Sequence, residues 1–254
     1  MIIIKDSAYN AEKGDSMKKK AIFLFLCALL LHFTLSLPST SQIAKKVIVS
    51  YGDILNEPVK HINPDKPMVA LTFDDGPTRK YTTMILDCLK ENHCYATFFV
   101  LGSRIEKAPD LLERMILEGN EIGNHTYSHK QLTKLNETSI INEINDTNEK
   151  IYEATHIKPN VLRPPYGEYN ETVINHLGEM KIITWNVDSE DWRSKNAEII
   201  YKKVIREVQN GSIILLHDLY LSSAQAACLL IPALVEEGYQ LVTVSDLYTY
   251  QNLS

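Results

Sequence analysis

The sequence predicts an α/β protein, a single barrel of about seven parallel strand–helix units. Three observations predict it. Short apolar runs of strand length alternate with amphipathic helical patterns from residue 68 onward. No linker and no internal repeat interrupts the alternation, so one domain is expected rather than two lobes. Polar residues follow several of the apolar runs directly, where a parallel barrel gathers its chemistry.

The elements follow in order. A strand is expected over 68–73, then a helix over 79–91. Residues 95–101 are rich in aromatic and β-branched side chains and read as a second strand. Ser103 is placed to cap a helix that is broken near Pro109 and resumes over 111–118. A short strand over 121–123 precedes a longer helix over 139–154, in which Ile140, Ile144 and Ile151 recur at helical spacing. Short strands are expected over 161–163 and 182–185, a helix over 197–209, and a buried strand over 212–216. A helix containing 229–237, a strand over 241–244 and a closing segment over 246–250 complete the pattern.

With 44% hydrophobic and 23% charged residues, a chain of 254 residues buries a sizeable core. A net charge of -6 and the lack of a basic stripe exclude nucleic acid as partner. Residues 1–41 are expected to lie outside the fold. Lys18, Lys19 and Lys20 precede an apolar run over 21–37 and a small-residue tail, the pattern of an export signal. An uncleaved anchor is the alternative, and then the only membrane contact. The Lys cluster begins just after Met17, which suggests that residue as the true start. Residues 42–66 read as a lead-in with a short strand at 47–49, and 67–254 as the functional domain. Cys88, Cys94 and Cys228 permit at most one disulfide and are expected as small buried hydrophobes. A monomer is favoured.

The chemistry-bearing residues sit in five short stretches: "TFDDGP", "HTYSH", "RPPYG", "DSEDW" and "LLHD". His125 and His129 stand at i and i+4, which on a helical turn places both on one face, able to share an ion. A carboxylate from Asp75 or Asp74 would complete a two-His, one-carboxylate set that zinc, cobalt or iron tolerates. His61, His93, His156 and His176 match none of these stretches and are read as structural or surface. Asp188 is read as a support for the loop carrying Asp191, and Asp218 has no assigned role.

In order and spacing, the five stretches resemble the motifs of the polysaccharide deacetylases, the chitooligosaccharide deacetylase homology group or carbohydrate esterase family four. The resemblance spans about 67–247. It implies a distorted (β/α)7-type barrel and a secreted or envelope-bound hydrolase. The implied activity is metal-dependent removal of N-acetyl groups from peptidoglycan or chitooligosaccharide. O-deacetylation of xylan, or a silent glycan-binding module, are the alternatives. The implied cofactor is one divalent ion, zinc before cobalt, held by Asp75, His125 and His129. Asp74 matches the catalytic base, Arg163 the residue that holds it, His217 the acid and Asp191 its carboxylate partner. Tyr166 matches the oxyanion-binding backbone N–H, and Trp192 and Leu215 the walls of the acetyl pocket.

Overall fold

The computed structural model describes residues 60–251. The expected export segment, the start at Met17 and the strand at 47–49 lie outside these residues. The described chain contains strands β1 (Met68–Asp74), β2 (Thr97–Val100), β3 (Glu121–Asn124), β4 (Val161–Leu162), β5 (Lys181–Ile182), β6 (Val187–Asp188), β7 (Ile213–His217) and β8 (Gln240–Leu241). Its helices are α1 (Tyr81–Glu91), α2 (Gly102–Ile105), α3 (Pro109–Leu117), α4 (Glu137–Thr155), α5 (Glu171–Asn175), α6 (Ala197–Glu207), α7 (Leu221–Glu236) and α8 (Val244–Gln251).

The strands pair in parallel in the order β5-β4-β3-β2-β1-β7-β6, and β8 joins the base of β1. No ladder joins β5 to β6 among the described residues, so the curled sheet is an open, distorted (β/α)7-type barrel. All strands share one direction, and their C-terminal ends therefore meet at one rim.

β1 is the axis of this sheet, pairing with β2, β7 and β8. All seven of its residues are buried, and its side chains alternate between two layers. Val69, Leu71 and Phe73 pack with Ile85 and Leu86 of α1 and Leu230 of α7 in the layer between sheet and helices. Met68 and Ala70 face the lumen with Phe99, Ile213 and Val244. Phe73 stacks on Phe98 at a centroid distance of 5.1 Å, and truncating such a buried ring costs about 3–5 kcal/mol.

Several expectations shift at their edges. Ser103 does not cap α2; the helix starts from Leu101 without a side-chain cap. Its first N–H groups, from Gly102 and Ser103, donate instead to the carbonyls of Thr126 and Tyr127. β6 is not legible in the sequence, being two residues that, among the described residues, pair only with β7. α7 contains nearly all of the expected 229–237 and begins at Leu221, where Ser222, Ser223, Ala224, Ala226 and Ala227 are all buried. A helix start buried on several faces shows no apolar stripe. Val244 starts α8 rather than ending a strand.

The cysteines differ more from expectation. Cys88 on α1 and Cys228 on α7 form a disulfide with Cα atoms 5.6 Å apart, and among the described residues only Cys94 is a free buried thiol. The bridge joins the helices that follow β1 and β7, the two strands carrying Asp74 and His217. Cross-linking positions 140 residues apart restricts the unfolded chain strongly, a gain of about 2–5 kcal/mol. The Cys88→Ser variant is expected to melt about 5–15 °C lower, and calorimetry with and without reductant checks this.

Candidate active site

The site begins where β1 ends. Asp74 is the last strand residue and stands in register with His217 of β7. Its carboxylate is almost wholly buried and follows Thr72 on the lumen face. Asp75 leaves the strand in the left-handed region, at φ 74°. That turn brings its carboxylate round to the same rim, where a continued strand would have pointed it away.

Asp75 Oδ1 lies 3.5 Å from His125 Nε2 and 3.4 Å from His129 Nε2. The three ligand atoms fall within 4.8 Å of one another. Asp75 Oδ1 is buried and has no hydrogen-bond partner, a costly state unless a cation meets it. His125 Nδ1 is 2.6 Å from the carbonyl of Arg163, so it carries the proton and donates. Its Nε2 lone pair is thereby free and aimed at the site, as in metal-binding imidazoles. Burial, with the charges of His125 and His217, holds the His129 imidazole below its usual range against Asp75 and Asp74. A neutral ring is what a ligand requires. For Asp75, burial pushes upward, but the neighbouring His125 imidazole and the charges of His129 and His217 bring it below the usual carboxylate range. The donor set fits one divalent ion.

The expected helical turn at His125 and His129 is not present. The pair lies on a loop after β3, with Thr126 at φ 69° and His129 at φ 60°. Thr126 N–H donates to Asn124 Oδ1 at 2.7 Å, and His129 N–H donates to Thr126 Oγ1 at 3.2 Å. Buried Glu143 of α4 accepts from Ser128 N–H at 2.7 Å and from Ser128 Oγ at 2.6 Å. These local bonds replace the helical ladder and set the 5.1 Å separation of the two rings.

Arg163, after β4, is fully buried. Its Nη1 donates to Asp74 Oδ1 at 2.8 Å and to Thr72 Oγ1 at 2.7 Å. Its Nε and Nη2 donate to the carbonyls of Ile183 and Thr184. The guanidinium lies 4.2 Å above the Phe99 ring. Burial pulls its pKa down, and Asp74 opposes that.

On the opposite side, Asp191 Oδ1 accepts from His217 Nδ1 at 2.7 Å, and Asp191 Oδ2 accepts from the His217 N–H at 2.7 Å. Asp188 Oδ1 accepts from Glu190 N–H at 2.8 Å and so braces the loop that carries Asp191. Burial alone would lower the His217 pKa, but the hydrogen bond and charge of Asp191, with Asp74 and Asp75, raise it to about 9.

Leu215 is buried two residues before His217, on the same face of β7. Trp192 and Tyr166 are 53% and 62% exposed, so both stand at the rim rather than in the core. The Tyr166 ring lies 5.0 Å from that of His129, and its backbone is left-handed at φ 63°. His61, His93 and His156 are exposed, and none of the four unmatched histidines joins the cluster. Sequence reasoning missed Asn124 and Glu143. Asn124 carried a faint signal, an amide side chain next to the first His; Glu143 resembled any helix-surface acid.

The polysaccharide deacetylase family model matches residues 61–185. A peptidoglycan-N-acetylglucosamine deacetylase of Bacillus cereus is 40% identical over 190 residues, covering 72% of this chain and 69% of its own. The chain belongs to the polysaccharide deacetylase family. Another member, the peptidoglycan-N-acetylmuramic acid deacetylase PdaC of Bacillus subtilis, is 45% identical over 186 residues, covering 73% of this chain. The match spans only 40% of that relative's length. The solved PdaC structure superposes with a TM-score of 0.74 at 43% identity, covering 76% of this chain and 95% of that one. A pseudoenzyme of the same esterase family from Bacillus anthracis has a TM-score of 0.67 at 29% identity, covering 73% and 66%.

The ion pair makes a titration prediction. His217 stays protonated through neutral pH and releases its proton around 9. In Asp191→Asn the hydrogen-bonded anion is gone, and the pKa is expected to fall back toward the ordinary imidazole range. NMR titration of the imidazole in both proteins checks this.

Proposed function

We propose that this polysaccharide deacetylase family member is a metal-dependent N-deacetylase of peptidoglycan, acting on acetylated amino sugars. What supports the reading is the meeting, at one barrel rim, of a buried unpartnered carboxylate oxygen facing two imidazoles with a buried carboxylate and a raised-pKa imidazole. The names of the peptidoglycan deacetylases among its relatives point to the same substrate. A complete set of these groups argues against a silent module, which typically lacks a ligand or the base.

Asp75, His125 and His129 would hold the ion, with zinc favoured by this donor set. Bound there, it would acidify a water and polarise the acetyl carbonyl. Asp74, held by Arg163, accepts the proton of the attacking water. The Tyr166 N–H donates to the oxyanion as the carbonyl carbon becomes tetrahedral. His217 then donates its proton to the amide nitrogen as the C–N bond breaks, releasing acetate and a free amine. Asp191, bonded at Nδ1, keeps the ring protonated, so the proton on the other ring nitrogen is available for the transfer. Leu215 and Trp192 flank the acetyl methyl.

A peptidoglycan substrate implies action outside the cytoplasm. The Cys88–Cys228 bridge suits an oxidising compartment.

Two variants separate the roles of the paired aspartates. Asp75→Ala is expected to lose the metal and all turnover. Asp74→Asn is expected to keep the metal and lose about 10²–10⁴-fold in kcat. Metal content by elemental analysis beside acetate release checks both; equal metal loss would refute the assignment. The substrate reading is tested by acetate release from peptidoglycan, chitooligosaccharide and acetylxylan side by side. No acetate from the first, or a faster release from acetylxylan, would overturn it.

A further inference from the structure

Asp218 takes no part in the chemistry above, yet it is one of the most completely buried acids in the described chain, 1% exposed. Its Oδ1 has no hydrogen-bond partner, and its Oδ2 accepts from Thr82 Oγ1. The carboxyl fits against Gly76 so closely that a Cβ at position 76 would overlap both carboxyl oxygens. The backbone around it ties the same place together. Asp218 N–H donates to the Asp74 carbonyl at 3.3 Å. Thr78 Oγ1 donates to the Asp218 carbonyl at 2.7 Å, and Thr78 N–H donates to Thr82 Oγ1 at 2.7 Å. From the other side, Leu101 N–H donates to the Gly76 carbonyl at 2.9 Å. The turn 75–78 is thus clamped between the end of β2 and the residue after β7.

This clamp matters because of how Asp75 is held. Asp74 has a guanidinium bonded to it, but Asp75 Oδ1 has no hydrogen-bond partner. Its backbone lies in a left-handed conformation that costs a non-glycine residue about 1 kcal/mol or more. Something outside Asp75 must hold that conformation, and Asp218 is the buried side chain that touches the next residue. We propose that Asp218 is a positioning residue for Asp75, its carboxyl serving as the seat on which the Asp75–Gly76 turn rests. This inference rests on reading Asp75, His125 and His129 as the metal ligands.

The prediction concerns zinc affinity rather than the chemical step. Competition with a chromophoric chelator reads the affinity of the full chain for zinc. In Asp218→Ala it is expected to fall about ten- to hundredfold, as for other supports of metal ligands, while kcat at saturating zinc largely recovers. Asp218→Asn keeps the volume and an oxygen for the Thr82 hydroxyl, so its affinity is expected to stay close to that of the unmodified protein. An Ala variant with unchanged zinc affinity, whatever its Tm, overturns the proposal. An Asn variant as weak as the Ala variant also overturns it. Should the Ala variant fail to fold, Thr82→Val decides: weaker zinc binding supports the seat, and unchanged binding overturns it. If the unmodified chain binds no zinc, the metal reading of the site fails as well, which is a separate and recognisable result.

Discussion

One guanidinium taken wholly out of water governs the geometry of this site. A buried charge is tolerated only when paired and fully hydrogen-bonded. Arg163 meets that demand with Asp74, Thr72 and the carbonyls of Ile183 and Thr184, and lies over the rings of Phe99 and Trp185. The hydrogen-bonded partners come from β1 and from the segment after β5, so satisfying the charge fixes these two parts of the barrel against Arg163, which follows β4. The same residue's carbonyl sets the His125 tautomer. Such a pair is weak evidence for stability, since apolar replacements often do as well. Its value lies in specifying where one carboxylate and one imidazole must stand.

Strain is concentrated near the same rim. Asp75, Thr126, His129, Tyr166 and Glu190 are non-glycine residues with left-handed backbone, and each lies in one of the loops after a strand. The two others, His93 and His156, only follow the ends of α1 and α4. A strained loop persists when its surroundings hold it. Here Glu143, Asn124 and Asp188 supply side-chain bonds to loop N–H groups, while Asp218 and the Leu101 N–H hold the aspartate turn. The proposed metal ligands and the proposed acid are thus placed by polar residues that need not touch the substrate.

The fold was legible because the alternation of apolar runs survives at low resolution, and β1 and β7 carry it most clearly. The groups that meet at the rim were legible because their residue types are rare beside a core: a double aspartate, paired histidines, an arginine before two prolines. What stayed hidden was conformation. The spacing of His125 and His129 fits a helical turn, but Asn124 and Thr126 offer the loop local bonds that compete with helix formation. The Cys88–Cys228 bridge was hidden because pairing depends on α1 lying against α7, which no local pattern encodes. Asp218 looked like a bystander for the same reason: its burial is a property of the packed turn, not of the residue.

The register of β1 and β7 creates a problem that the ion pairs solve. Asp74 and His217 are neighbours across a parallel ladder, with strands about 4.8 Å apart. A carboxylate base and an imidazolium acid placed so would attract one another and, once joined, neither would be free to move a proton for the substrate. No Asp74–His217 ion pair forms among the described residues, because each already has its own counter-ion: Arg163 beneath one and Asp191 beside the other. Both anchors are more deeply buried than the groups they hold, which strengthens each pair relative to a bond across the mouth. The remaining attraction still acts at a distance, since the charge of Asp74 helps to raise the His217 pKa. Two separate ion pairs therefore let the proposed base and the proposed acid stand side by side and unjoined.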